Sequence, residues 1–312
     1  MGQGDQGLLA SRKTGLSFGL GGHLMREPAY RLDCPAVRST SVVFASPHSG
    51  RDYAPEFLQA AVLDPIEIRT SEDAFVDALF ATAPSHGAPL LTAGAPRAFV
   101  DLNRAAEELD PALVEGVRRV AQNPRIASGL GVIPRVVANG RAIYRGKLPF
   151  AEAQRRILGY WRPYHAALEA LLDQSHRTFG EAILIDCHSM PHEALDAAGP
   201  AGAGRPDVVL GDRFGAAASA RVIEQVEAAF SAAGFRVARN MPFAGAYITQ
   251  AYGRPSRRQH AVQVEIDRGL YMNERTIEPL PEFEDFRRAL EGAIAGIAAI
   301  GRPAQALPMA AE

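Results

Sequence analysis

The chain has 312 residues, of which 47% are hydrophobic and 22% charged, a composition of an ordinary soluble globular protein that excludes extended disorder and a repeat architecture. Its net charge of -2 comes from interspersed signs, so it lacks the basic patch or stripe of a nucleic-acid-binding protein, and a small-molecule substrate fits better. Cys34 and Cys187 are the only cysteines, which leaves neither a disulfide framework nor a cysteine-rich metal knuckle, so any metal must be held by His, Asp or Glu.

Residues 1–31 alternate Gly, Leu and charges without sustained periodicity and are expected to form a loosely ordered leader. The first 25 residues have no continuous apolar stretch followed by a small-residue cleavage site, and no run approaches the roughly 18 apolar residues that span a bilayer. A cytoplasmic protein with no membrane partner is expected. Ser41–Ala45 is a short buried-strand pattern running into Ser46-Pro47-His48-Ser49-Gly50, where Pro and Gly mark a turn that displays His48 at a strand end. Pro55–Leu63 reads as a helix. Ser71 reads as the N-cap of a second helix over 74–80, and Glu72 and Asp73 suit its first turn because carboxylates favour the positive helix end.

Pro89–Ala93 should be a strand, followed by a segment carrying Arg97, Asp101, Asn103 and Arg104. That density of polar groups reads either as an oxyanion clamp, since guanidinium groups bind planar oxyanions bidentately, or as a surface salt-bridge cluster. Asp110–Val120 reads as a helix, and the loop after it brings Tyr144 and Arg145 as pocket-lining residues. Ala151–Arg177 is a long helical region in which Trp161, Tyr164 and Leu168 share a face, and His165 within it reads as a packing residue.

Ala182–Ile185 is aliphatic throughout, as in a parallel strand covered on both faces, and it ends in Asp186-Cys187-His188-Ser189. In open α/β sheets ligands bind beyond the carboxyl ends of strands, so this tip is a natural site. Cys187 should point to the opposite face of the strand, into the core. Further elements are a strand over 207–211, a helix over 216–233 and an extended stretch over 237–242. Small residues in Phe243–Thr249, which includes Tyr247, permit close backbone approach and suggest a substrate loop. His260–Asp267 alternates, placing Gln263 and Glu265 on one face and Val262, Val264 and Ile266 on the other. Two polar residues on a strand face require partners or a cavity. Phe283–Ile300 is the last helix. Strands and helices alternate with no linker, so the expected fold class is α/β, a single domain over 32–305 with a short tail, 306–312.

His48, an acid from Glu72-Asp73, His188 and Glu265 are the groups a metal-dependent hydrolase requires. A catalytic zinc takes three ligands from His and carboxylate and keeps a position for water. A further carboxylate then takes a proton from water and passes it to the leaving nitrogen.

Six strings in series, Ser-Pro-His-Ser-Gly at 46–50, Asp-Leu-Asn-Arg at 101–104, Arg-Pro-Tyr-His at 162–165, Asp-Cys-His-Ser at 186–189, Tyr-Ile-Thr-Gln-Ala-Tyr-Gly at 247–253 and His-Ala-Val-Gln-Val-Glu at 260–265, resemble the N-formylglutamate amidohydrolase family. The resemblance covers roughly Ser41–Met272. It implies a mixed, mostly parallel sheet sandwiched by helices, resembling zinc carboxypeptidases, and hydrolysis of N-formyl-L-glutamate to L-glutamate and formate in histidine degradation. It also implies a bound Zn2+, or another divalent metal such as Co2+ or Fe2+, held by His48 and His188. The carboxypeptidase pattern has a Glu three residues after its first His, where this chain has Arg51, so Asp73 is the expected middle ligand and Glu72 the alternative.

Under the same resemblance Glu265 is the general base and Arg97 polarises the scissile carbonyl. Asn103 and Arg104 clamp a substrate carboxylate, with Tyr144, Arg145, Tyr247 and Gln263 as further substrate-binding residues. Asp186 is expected to orient His188 or shape the turn. The partner is a small-molecule substrate, and the chain a monomer or small homo-oligomer. Two other readings stand beside this one: a deacylase or carboxypeptidase for another N-acyl amino acid or small peptide, and a metal-free binding protein for acidic ligands.

Overall fold

Strands that are aliphatic on both faces occupy the centre of a sheet, because only there are both faces shielded from water. In the computed structural model, which describes residues 12–14, 28–118, 124–196 and 204–303, these are β3 (Val42–Ser46), β4 (Leu90–Ala93) and the first half of β5 (Ala182–Met190), joined by β8 (Gln259–Asp267), which is apolar on one face only. They lie parallel in the order β4-β3-β5-β8. On one side β2 (Tyr30–Asp33) pairs antiparallel with β4, and β1 (Arg12–Thr14) with β2. On the other side β6 (Val208–Gly211) runs antiparallel to β8, and β7 (Val237–Arg239) parallel to β6. The result is the mixed, mostly parallel sheet that the sequence leads one to expect.

Two helical layers cover it. On one face Tyr164, Leu168, Leu171 and Leu172 of α5 (Arg162–Phe179), Ile248 of α7 (Tyr247–Tyr252) and Phe57 of α1 (Pro55–Ala60) pack against Val43, Leu91 and Leu184. On the other, Val222, Val226 and Phe230 of α6 (Ala220–Ala232) and Leu290, Ile294 and Ile297 of α8 (Phe283–Ile300) pack against Val42, Phe44, Ile183, Ile185, Val262 and Val264. The strand alternation therefore sorts residues as expected: Cys187 lies in the α6/α8 layer, whereas Asp186, His188, Gln263 and Glu265 have the parity of Leu184 and Ala261. Strand β3 has β4 on one side and β5 on the other, so the chain changes direction across the sheet between β3 and β5. The carboxyl ends at such a switch point leave a crevice.

Several local expectations give way to tertiary contacts. The stretch 110–118 is a series of turns, not a helix, since Pro111 and Gly116 (φ 72°) interrupt it and Asp110 turns its carboxylate to Arg135 (2.8 Å). Residues 119–120 of that expected helix lie outside the described residues, as do 1–11 and 15–27 of the leader and the tail 306–312. Ser71 caps nothing: α2 covers only Val76–Leu79, preceded by Phe75 in the left-handed region (φ 66°). The helical region after the loop is continuous from α4 (Phe150–Arg156) into α5, but the two are joined by a π turn, Ile157–Trp161. Among the described residues no helix is long and apolar enough to cross a membrane.

The exits of β3 and β4 touch through Gly50, whose absent Cβ would stand 2.1 Å from the carbonyl oxygen of Ala95. Gly50→Ala is expected to destabilise the fold by about 1–3 kcal/mol, as overpacking against backbone does. Gly146→Ala, where a Cβ meets nothing within 4 Å, should stay within about 0.5 kcal/mol of wild type. Chemical denaturation of the two variants checks the contrast.

Candidate active site

Three side chains from three segments converge in the crevice. His48 stands just beyond β3, His188 near the end of β5, and Asp73 in the turn before α2. The Asp73 N–H donates to the His48 carbonyl (3.0 Å), which ties the turn to the strand exit. Asp73 Oδ2 lies 2.9 Å from His188 Nδ1 and 3.4 Å from His48 Nδ1, and the rings meet edge-on with centroids 4.7 Å apart. All three residues are buried, and their ligand atoms lie within 4.8 Å of one another.

The outward nitrogens of both rings are held from behind. His48 Nε2 donates to Asp101 Oδ1 (2.7 Å), and His188 Nε2 lies 3.1 Å from both Asp186 Oδ2 and Asn103 Nδ2. Such outer acceptors fix the orientation of metal-binding histidines. With its proton on Nε2, His48 presents a buried Nδ1 that has no hydrogen-bond partner. Two imidazole nitrogens and one carboxylate oxygen converging in this way fit a divalent metal. Burial alone would favour a neutral Asp73, but the hydrogen bond from His188 and the adjacent His48 ring hold its carboxyl well below the usual range. Burial likewise opposes protonation of His188, yet the Asp186 and Asp73 carboxylates hold the ring well above its ordinary value.

Glu265 on β8 lies directly across from His188 on β5. Burial, reinforced by the charge of Asp73, pushes its carboxyl up to about 7 against the pull of His188, Arg97 and Arg268. Gln263 Nε2 donates to Glu265 Oε1 (2.7 Å), and Gln263 Oε1 accepts from the Ala246 N–H (3.0 Å), so the amide is locked in one orientation between the carboxylate and the 243–246 loop. The site opens into a cleft of about 530 Å³, lined by these residues together with Arg97, Arg104, Arg125 and the 243–246 loop.

Of the residues singled out in the sequence, His48, Asp73, His188, Glu265, Arg97, Asn103, Arg104 and Gln263 all reach the cleft. Glu72 does not join the histidines; its carboxylate is taken by Arg69 (2.9 and 3.1 Å) and Tyr53 (3.0 Å). Tyr144, Arg145 and Tyr247 are not brought to the cleft. Tyr144 is buried with its hydroxyl accepting from Arg156 Nη1 (2.7 Å), Arg145 is exposed outside the lining, and Tyr247 packs on Trp161 and His165. From the stretch 243–249 only residues 243–246 are loop, since α7 begins at Tyr247.

Two residues acquire a place that sequence reading did not give them. Asp101, taken there for part of a clamp or surface cluster, holds His48 and also accepts from Arg97 Nε (3.2 Å). Arg268 follows β8 in a 3-10 turn, beyond the alternation that exposed Gln263 and Glu265, and its guanidinium donates to Asp73 Oδ1 (2.8 Å).

Residues 40–272 match the sequence profile of N-formylglutamate amidohydrolase. The chain belongs to the N-formylglutamate amidohydrolase family. Within the family it is similar to the N-formylglutamate deformylase of Pseudomonas aeruginosa, 31% identical over 243 residues that cover 75% of this chain and 83% of the relative. It is also similar to that of Pseudomonas putida, 29% identical over 251 residues covering 78% and 85%. The crystal structure of N-formylglutamate amidohydrolase from Ralstonia eutropha superposes with a TM-score of 0.80 at 37% identity, covering 87% of this chain and 98% of that one. The family span takes in the entire cluster, from His48 to Arg268, and ends before α8.

His165, in the third of the family-like strings, supports the segment behind the site without touching the cleft. Its Nε2 donates to the Leu102 carbonyl (2.9 Å) and its Nδ1 accepts from the Tyr252 hydroxyl (2.8 Å). Burial pushes its pKa from 6.5 down to about 4. A histidine depressed in the native state adds stability that is complete above 6.5 and declines as pH falls toward 4, by at most about 1.4 kcal/mol per pH unit. His165→Gln should therefore be less stable than wild type at pH 7, and the gap should narrow between pH 6.5 and 4; unfolding free energies of both proteins across that range check this.

Proposed function

We propose that the protein hydrolyses N-formyl-L-glutamate to L-glutamate and formate at the cluster of His48, Asp73, His188 and Glu265. The observation that carries this reading is the cross-strand placement of Glu265 against His188, at the base of a cleft whose walls bear arginines. The names of the two Pseudomonas relatives support the substrate. A divalent metal, zinc or alternatively cobalt or iron, would be held by His48, Asp73 and His188 and would polarise the scissile carbonyl and acidify a water.

The chain's own residues supply the rest. Glu265, with a carboxyl near 7, is matched to accept a proton from the attacking water and return it to the leaving nitrogen as the C–N bond breaks. Gln263 occupies Oε1 of that carboxylate, leaving Oε2 for the proton. Arg97, anchored through Nε to Asp101, stabilises the oxyanion that develops on the formyl oxygen. Arg104 is fixed by bonds to the Leu130 and Asn103 carbonyls (3.0 and 2.8 Å) and offers its remaining edge to a substrate carboxylate. Asn103 belongs to a different task, since its Nδ2 is beside His188 and its Oδ1 accepts from the Ile248 N–H (2.7 Å); it positions the histidine.

A formate-release assay on a panel of N-formyl and N-acyl amino acids, with and without chelator, tests the reading. N-formylglutamate should be the best substrate and chelation should abolish turnover; no formate from any member would return the protein to the class of acidic-ligand binders. Glu265→Gln is expected to keep its metal and lose about 10²–10⁴-fold in kcat. His188→Ala should lose the metal, and unchanged metal content in that variant would remove His188 from the ligand set.

A further inference from the structure

Arg268 lines the cleft at only 6% exposure, and each of its three nitrogens is already engaged. Nη2 donates to Asp73 Oδ1 (2.8 Å), Nη1 to the Thr70 carbonyl (3.2 Å) and Nε to Ser189 Oγ (3.2 Å). One guanidinium thus joins the exit of β8 to the turn that carries Asp73 and to the residue next to His188. All three nitrogens donate within the protein, whereas Arg104 uses only Nε and Nη1 in this way.

The two oxygens of Asp73 have separate environments. Oδ2 faces both imidazole Nδ1 atoms, at 2.9 and 3.4 Å, while Oδ1 faces the guanidinium. A carboxylate with both oxygens accessible can chelate a cation through both, which adds a ligand and uses a position that a hydrolytic site keeps open for water. A guanidinium on one oxygen opposes this by charge and by occupying the lone pairs.

We infer that Arg268 is a positioning residue of the metal centre: by claiming Asp73 Oδ1 it restricts Asp73 to coordination through Oδ2 and sets the coordination number. This rests on the proposed metal site, and the two can be tested apart. Lys is no substitute, because a point-like ammonium cannot reach three acceptors in one plane. Ser189 contributes only through one of the three bonds, so Ser189→Ala should have a smaller effect of the same kind.

The experiment titrates Co2+ into metal-free wild type, Arg268→Met, Arg268→Lys and Ser189→Ala, reading the dissociation constant and the visible d–d absorption. Thermal unfolding of each metal-free protein reports on the fold separately. Wild type should take up Co2+ with the intense bands of low coordination number. Arg268→Met should bind with a dissociation constant changed about 10-fold or more, with band intensity falling several-fold as Asp73 engages both oxygens. Arg268→Lys should lie between the two, and it decides the matter if the Met variant does not fold. A folded Arg268 variant that melts lower yet keeps wild-type affinity and spectrum would reduce Arg268 to a structural ion pair and overturn the inference. Wild type that takes up no Co2+ would sink the metal site itself, a result distinct from the first.

Discussion

A single buried carboxylate organises this end of the molecule. Asp73 is removed from water, and an ionised carboxylate so placed is tolerated only when it is paired and hydrogen-bonded on all sides. Two imidazoles and a guanidinium meet that requirement. Each recruits partners in turn: Asp101 behind His48, Asp186 and Asn103 behind His188, Ser189 and Thr70 around Arg268. The crevice at the strand ends is therefore built outward from one charge. The turn that carries Asp73 gives up regular helix to deliver it, and Phe75 takes the left-handed conformation immediately afterwards.

The surrounding charges alternate in sign with distance from the site. Asp73 at the centre is met by histidines, these by Asp101 and Asp186, and Asp101 by Arg97. This layering has opposite effects on two carboxyls of the same cleft. Asp73 is held acidic by its hydrogen bonds, whereas Glu265, also buried but with no ion pair among the described residues, is pushed up to about 7. Divergent environments for neighbouring carboxyls are what separate a ligand from a proton carrier. Gln263 matters here because it donates to Glu265 without adding charge.

Much of this was legible in the sequence where strand periodicity applies. The parity of β5 and β8 correctly put Asp186, His188, Gln263 and Glu265 on one face and Cys187 on the other, and the Pro-Gly punctuation around His48 marked a strand exit. Asp73 was already the expected middle ligand, but Glu72 stayed open as the alternative because adjacent residues in an irregular turn point wherever their partners lie, and it is Arg69 with Tyr53 that takes the Glu72 carboxylate. Tyr144 illustrates the converse. Its polar tip suggested a pocket, but Arg156, a distant residue on α4, meets its hydroxyl inside the core. Arg268 was hidden for a related reason, since a 3-10 turn after a strand carries no alternation to read. The expected helix at 110–120 failed because Asp110 and its Pro and Gly neighbours serve a long-range ion pair in preference to a helical ladder.

The π turn at Ile157–Trp161 has a mechanical meaning. It shifts the phase of the helix so that α4 and α5 address different parts of the layer, and Trp161 and His165 bring their ring N–H groups to the Arg104 and Leu102 carbonyls (2.8 and 2.9 Å). The segment 102–104, which has no regular structure of its own, is suspended from an 18-residue helix. Thermal displacement of the Arg104 backbone is thereby coupled to a rod packed along the sheet, with the stiffness of that rod and not of a surface loop. One wall of the cleft moves with the core, while the facing wall at 243–246 is tethered to the sheet through the Gln263 side chain.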